Sequence, residues 1–190
     1  MPHRTDLLDL LARYGERFPG ESDVVDRYRD FVERHENCFE RSLEIGHVTG
    51  SAWLVDPAGE RVLLTHHGKL GMWVQLGGHA DGESDVRLVA LAEAREESGL
   101  EVDLLSAELF DVDIHVIPRR EKGGHVEPEH LHYDVRFALR ARSEDFTVSE
   151  ESLELAWVPV AEIAAMEVDA SVRRMSDKWR AERWLEVPTA

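Results

Sequence analysis

Three carboxylates crowd the end of one helix-forming stretch: Glu93, Glu96 and Glu97, in the run Glu93-Ala94-Arg95-Glu96-Glu97-Ser98-Gly99-Leu100. At about 100° per residue they fall within an arc of roughly 100°, so they share one side of the last turns. That end of a helix is unfavourable for anions. Unsatisfied carbonyls give it partial negative charge, and stability alone would favour Lys or Arg there. A cation must offset the crowding, and a hard divalent ion such as Mg²⁺, which takes oxygen ligands, meets the need. Such an ion among carboxylates points to phosphate chemistry.

The stretch that carries these acids reads as an amphipathic helix. Val86, Val89 and Ala90 extend the same arc backwards as an apolar, inward stripe. Ser84 is the expected N-cap, and Gly99 suits the left-handed residue that closes a helix, with Leu100 folding back toward Ala94. Ahead of it stands the pair Gly77-Gly78, fifteen residues before Glu93. Two glycines leave the backbone open to close approach, which makes the Gly77 carbonyl a candidate metal ligand and is equally compatible with a tight turn.

The whole string from Gly77 to Leu100, GGHADGESDVRLVALAEAREESGL, resembles the Nudix box, Gx5Ex7REUxEExGU with U a bulky apolar residue. Gly78, Glu93, Glu96, Glu97, Gly99 and Leu100 match, with Ala94 a small member of the U class, so seven of nine fixed positions agree. The approach GMWVQLGGHADG, with Trp73 shortly before the glycines, also looks like the family's. The resemblance implies an α/β/α sandwich that hydrolyses the pyrophosphate bond of a nucleoside diphosphate linked to another moiety, or of a similar small phosphate-containing substrate. It implies Mg²⁺ or Mn²⁺ held by Glu96 and Glu97, with Glu93 adding a ligand or acting as the catalytic base that deprotonates water. In many relatives a further Glu comes from a loop outside the box; here Glu127 and Glu129, in the segment from Glu121 to His130, are the candidates, and a merely solvated loop is the alternative.

Two positions depart from the motif. Ser84 stands where the early Glu is expected, and Ala92 where the family has an Arg that packs beside Glu93 and orients it. Arg95 projects about 160° around the helix from Glu93 and is a poor substitute. Two other readings therefore stand beside the hydrolase: a catalytically weakened nucleotide-binding or regulatory protein, and an acidic helical scaffold whose box match is coincidental.

The remaining chain supplies the frame. Residues 1–42 read as a helical N-terminal extension and 43–190 as the Nudix-like hydrolase domain. Leu7, Leu8, Leu11 and Tyr14 recur at helical spacing, Pro19-Gly20 interrupts, and Val24, Val25, Tyr28, Phe31 and Val32 resume the pattern. These stripes could cover the domain or form a homodimer interface. Strands are expected at His47–Val55 and Arg61–His66, as a hairpin about Asp56-Pro57-Ala58-Gly59, and at Met72–Leu76, Leu109–Ile117, His130–Arg140 and Leu153–Val158. Helices are expected at Pro159–Met166 and Ser171–Leu185. The order suggests a mixed sheet between helical layers.

On the strand from His130, residues His130, His132, Asp134 and Arg136 alternate with apolar ones, while Asp113 and His115 share a face of a neighbouring strand. This polar face could bind phosphate, a base or a second metal, or consist of solvated or mutually hydrogen-bonded side chains. His79, beside the glycine pair, is a candidate substrate contact, as is His132. Neither HExxH nor a Cys/His zinc spacing is present.

Composition sets the outer limits. A chain of 190 residues, 43% hydrophobic, suits one good core. Its net charge of −17 repels duplex nucleic acid and anionic membranes while remaining compatible with a metal-bound nucleotide. The single Cys38 excludes an internal disulfide. Early charges and the lack of a long apolar run argue against a signal peptide or membrane span, so a cytoplasmic location is expected. Restoring the motif by Ala92→Arg is expected to raise kcat several-fold in steady-state assays of an active protein; unchanged or lower turnover would contradict the orienting role assigned to that position.

Overall fold

The computed structural model describes residues 2–67, 72–122, 125–147, 154–181 and 184. Helices α1 (Pro2–Arg17) and α2 (Ser22–Arg34), joined by a 3₁₀ turn at Pro19–Glu21, precede strands β1 (Gly46–Val55), β2 (Arg61–His67), β3 (Met72–Val74) and β4 (Leu76–His79). Helix α3 (Val86–Ser98) follows, then β5 (Val102–Leu104), β6 (Asp111–Ile117), a ribbon of β7 (Arg120–Lys122) and β8 (His125–Glu127), β9 (His130–Ala141) and β10 (Leu155–Pro159). A 3₁₀ helix at Val160–Ala165 and helix α4 (Ala170–Ala181) complete the order. Among the described residues, no helix is long and apolar enough to cross a membrane.

The sheet is mixed, as expected, and built on a central parallel pair. β1 and β9 run together from Gly46↔Leu131 to Val55↔Arg140. β2 and β4 pair antiparallel with β1, β10 and β3 with β2, and β5 and β6 with β9. All ten residues of β1 are buried, which requires both faces of the sheet to be covered.

Alternation along β1 and β9 divides the side chains between two cores. Val48, Ala52 and Leu54 of β1, with Tyr133, Val135, Phe137 and Leu139 of β9, pack with Val86, Val89, Ala90 and Ala94 of α3 and with the stripes of α1 and α2. Trp53 and Val55, with Ala138, face the opposite core with Phe110, Val172, Met175 and Trp179. The N-terminal helices thus bury their stripes on the sheet within this chain: the Tyr28 hydroxyl donates to the Tyr133 carbonyl at 2.6 Å, and Phe31 stacks on Tyr133 at 3.7 Å between ring centroids.

The polar half of the second face is mostly structural. Arg136, only 1% exposed, donates to Asp134 at 2.7 Å and Asp111 at 2.9 Å, with Asp113 at 3.5 Å. Arg174 and Lys178 of α4 reach the same Asp111, at 2.8 and 2.7 Å, so buried charge fastens α4 to β6. Burial opposes ionisation of Asp111, but the hydrogen bond from Arg174 and the charges of Arg136 and Lys178 outweigh it and hold the carboxyl below its ordinary 3.8.

Local expectations differ from the structure in several places. Asp85, rather than Ser84, caps α3, accepting from the Arg87 N–H at 3.1 Å, because Asp85 is the last residue in extended conformation. Gly99 closes the helix at φ 69°, as expected. The segment from Glu121 to His130 is no simple loop: β7 and β8 pair around Gly123-Gly124, which lie outside the described residues. The helix expected at Pro159–Met166 is the 3₁₀ turn, and β5 had no sequence forecast. Leu153 and Leu185, the outer limits of two expected elements, also lie outside the described residues.

The linkage sign follows from the lowered carboxyl. The unfolded chain binds the Asp111 proton first, so stability is complete above the ordinary pKa of 3.8 and is lost as pH falls below it. In urea unfolding at neutral pH, Asp111→Asn is expected to cost about 3–5 kcal/mol, because Arg136 loses a buried counter-charge. A loss under about 1 kcal/mol would remove the network from its structural role.

Candidate active site

Helix α3 lies against β1 and β4 where both strands lack side chains. A Cβ at Gly50 would meet Val89 at 2.8 Å and the Ala90 N–H at 3.2 Å, so this glycine sets how near the helix can come. A Cβ at Gly78, paired with Gly50 across the strands, would fall on the Glu93 carboxylate itself. The Gly77 N–H donates to Glu97 Oε1 at 2.8 Å. Two of the three acids are therefore turned onto the glycine pair and half-buried there, while Glu96 stands exposed on the flank. The shared arc is real, but the inward side takes Glu93 and Glu97.

Two carboxylates on one short stretch of backbone form an all-oxygen donor set, with the Gly77 peptide beside them. This chemistry fits a hard cation such as Mg²⁺ or Mn²⁺.

The substituted motif positions can be placed directly. Ala92 is exposed and carries no donor, and Arg95 is engaged with the Val102 carbonyl at 3.3 Å. Among the described residues, Arg41, in the segment before β1, is a cation whose charge reaches Glu93, and sequence reasoning did not single it out. Its guanidinium is held charged by hydrogen bonding to Asp81, and then by the charges of Asp81, Glu93 and Glu127. Asp81 adopts φ 47°, one turn before α3.

The outlying candidates separate. Glu129 is exposed, whereas Glu127 sits 3.9 Å from His130 Nε2. His79 and His132 come together, 5.0 Å between ring centroids, and both lie 4.9–5.0 Å from His47. His47 was also missed: its strand was expected, but not that β1 runs parallel to β9 and pairs His47 with His132. Burial, then the neighbouring imidazoles, push His47 down to about 4 and His132 to about 2. His79 is lowered by burial and by Arg41. All three are uncharged at neutral pH.

On β4, successive residues face opposite sides of the sheet. Gly78 points to α3 and His79 to the histidine side, so one strand divides the carboxylates from the imidazoles. The expected polar face of β9 and β6 is confirmed by the pairs Asp113↔Asp134 and His115↔His132. Its Asp134–Arg136 part is a closed hydrogen-bonded network, also fed by Thr49 and Ser51, each at 2.8 Å from Asp134.

A family model described as the NUDIX domain matches residues 47–179. No curated protein matches the sequence. Among solved structures, the fold is similar to a NUDIX-family hydrolase from Clostridium perfringens, at 24% identity and a TM-score of 0.51, covering 71% of this chain and 97% of that one. It is also similar to a MutT NUDIX hydrolase from Burkholderia pseudomallei, at 20% identity and a TM-score of 0.52, covering 70% and 97%. An ADP-ribose pyrophosphatase from Streptococcus suis aligns at 14% identity and a TM-score of 0.51, covering 72% and 91%.

The two glycines facing α3 should fail in different ways when replaced. Gly78→Ala needs only the flexible end of Glu93 to move, so it is expected to cost under about 1.5 kcal/mol in urea unfolding yet lower kcat at least tenfold. Gly50→Ala pushes on the Ala90 backbone and is expected to cost about 1–3 kcal/mol. Equal behaviour of the two variants in both measurements would show that Glu93 does not depend on the space at Gly78.

Proposed function

The chain belongs to the NUDIX family, and from that premise we propose that it hydrolyses the pyrophosphate bond of a nucleoside diphosphate-linked or similar small substrate in a reaction dependent on Mg²⁺ or Mn²⁺. The observation that carries this reading is the seating of Glu93 and Glu97 on Gly77-Gly78. Family membership supplies the reaction class; the geometry supplies the residues.

A pyrophosphate concentrates negative charge on adjacent phosphoryl groups, which repels both carboxylates and an incoming water. When bound, the cation would neutralise those oxygens and stabilise the charge that develops as the bridging P–O bond breaks. Glu97, held by the Gly77 N–H, and Glu96, exposed on the flank, are proposed to hold it with Glu93, and the Gly77 carbonyl is a further donor. Glu93 is also the proposed base, taking a proton from the attacking water as the new P–O bond forms. Two products ending in phosphate result.

The wider site would fix the substrate. His79 and His132, uncharged near β4, can hydrogen-bond a phosphate or base without adding charge. Glu127 and Glu129 come from the β7–β8 ribbon and the turn after it, and Glu127 is the better placed because its charge also reaches Arg41. Arg41 provides the positive charge near Glu93 that Ala92 does not. The expected cytoplasmic location remains part of this proposal, as does the separation into a helical extension over 1–42 and a hydrolase domain over 43–190.

A second reading, a catalytically weakened nucleotide binder, is favoured by one observation: Ala92 is exposed and Arg95 is bonded elsewhere. A panel of ADP-linked and other nucleotide pyrophosphates incubated with Mg²⁺ separates the two. The hydrolase releases phosphate-ended products, chelation stops release, and Glu97→Gln, which keeps the Gly77 hydrogen bond but loses the charge, lowers it at least about 100-fold. Saturable nucleotide binding without consumption, even with Mn²⁺, would establish the weakened binder instead.

A further inference from the structure

Away from the carboxylates of α3, four imidazoles gather at one end of the opposite sheet face, with His115 of β6 a fifth at 5.4 Å from His132. His47 comes from β1, His79 from β4, and His130 and His132 from β9. The His47 ring centroid lies 4.9 Å from both His130 and His132, which are 5.2 Å from each other. His47 is 3% exposed and His130 5%.

Buried nitrogens ordinarily find hydrogen-bond partners, because leaving one without is costly. Here, among the described residues, neither ring nitrogen of His47 makes a hydrogen bond of good geometry, although the Leu43 backbone is near enough to oppose the lowering of its pKa, and the Nε2 atoms of His130 and His132 are buried with no partner. They also converge. One nitrogen from each of these three residues lies within 4.8 Å of the others.

The tautomer of His130 indicates what the group can accept. Its Nδ1 is 2.9 Å from the Pro128 carbonyl, which only accepts, so Nδ1 donates there, and the neutral ring then presents the Nε2 lone pair. An anion such as phosphate needs donors and is repelled by that lone pair. A cation is attracted by it, and a backbone carbonyl behind a ligating imidazole is the usual device for fixing such a ring. Glu127, 3.9 Å from the same Nε2, adds negative charge at the rim.

Ligand type then selects the ion. Neutral imidazoles suit borderline transition metals, whereas Mg²⁺ favours oxygen. At Zn–N distances of about 2.0–2.1 Å, the three nitrogens would have to close in by roughly an ångström, within reach of side-chain rotation. Three nitrogens leave a tetrahedral ion one open position.

We propose that His47, His130 and His132 form a three-nitrogen site for a divalent transition metal of the Zn²⁺ type, separate from the carboxylates of α3. His79 flanks it from the same face of the sheet, 5.0 Å from both His47 and His132. β4 stands between this site and Glu93, so the two centres are divided by ligand hardness as well as by position. The site goes beyond pyrophosphate hydrolysis and does not require it; an ion here takes the His132 nitrogen, which leaves His79 as the substrate contact of the two.

The test uses the full-length protein, stripped by a chelator and titrated with Zn²⁺ by calorimetry and with Co²⁺ by visible absorption. Near-stoichiometric binding of one ion is expected, with the absorption of low-coordinate, nitrogen-bound Co²⁺, undiminished by a large excess of Mg²⁺. His132→Gln and His130→Gln should each weaken Zn²⁺ binding at least about 100-fold and abolish the metal-dependent rise in Tm, whereas Glu97→Gln should leave both intact. These two substitutions serve if His47→Gln does not fold. Absence of saturable binding in the unsubstituted protein, binding left unchanged by both histidine substitutions, or binding lost in Glu97→Gln would each overturn the proposal. Failure of nucleotide hydrolysis with Zn²⁺ binding intact would bear only on the proposed function.

Discussion

The distance between helix α3 and the strands beneath it governs the arrangement of this molecule. Gly50 and Gly78 face each other across β1 and β4, and neither puts a side chain in the way. The helix therefore comes down onto bare backbone, and Glu97 reaches a peptide group of the strand beneath it. Glu97 is held by a main-chain N–H, which cannot rotate away, and Glu93 fills a volume that any other residue at position 78 would occupy. Two anions are thereby fixed side by side at the helix end least suited to them. Such electrostatic tension calls for compensating charge nearby; Arg41 supplies part of it, and the proposed divalent ion would supply the rest.

The opposite face of the same strands follows another logic. From β1 and β9 outward it changes in kind: apolar under α4, ionic in the middle, imidazole at the end. The ionic section carries three Asp around one buried Arg, with Arg174 and Lys178 entering from α4. A buried pair of this kind is weak evidence for net stability, since apolar side chains could pack there at no desolvation cost. It does specify position. Asp111 accepts three cationic side chains from two elements, and a shift of α4 by one turn would leave at least one of them unmatched.

Much of this was legible in the chain, for reasons that differ by element. The helix carrying Glu93 and Glu97 has a period, a closing glycine and a motif, all local. The alternation of His130, His132, Asp134 and Arg136 is likewise local and gave the polar face, though not its division into an ion network and a histidine group. What escaped was whatever depends on pairing. Asp85 and Ser84 are both good caps, and the path of the chain chose between them. The ribbon of β7 and β8 is only three residues a side, too short for a period to emerge. His47 and Arg41 gained their significance from strands and loops brought beside them by the fold, and no spacing near either residue announces it.

The parallel union of β1 with β9 has a cost paid in time. Residues joined there are about 85 apart along the chain, and ten consecutive pairs form at that separation. Such ladders close late, because the entropy of so long a loop must be lost before any of its contacts is gained. A nascent chain halted near residue 125 would already contain the acids of α3 and the strand they rest on, but β1 would have one bare edge and His47 no partner from β9. Assembly of the molecule's centre thus waits for its last third, and until then an unpaired hydrophobic strand is open to association with other chains.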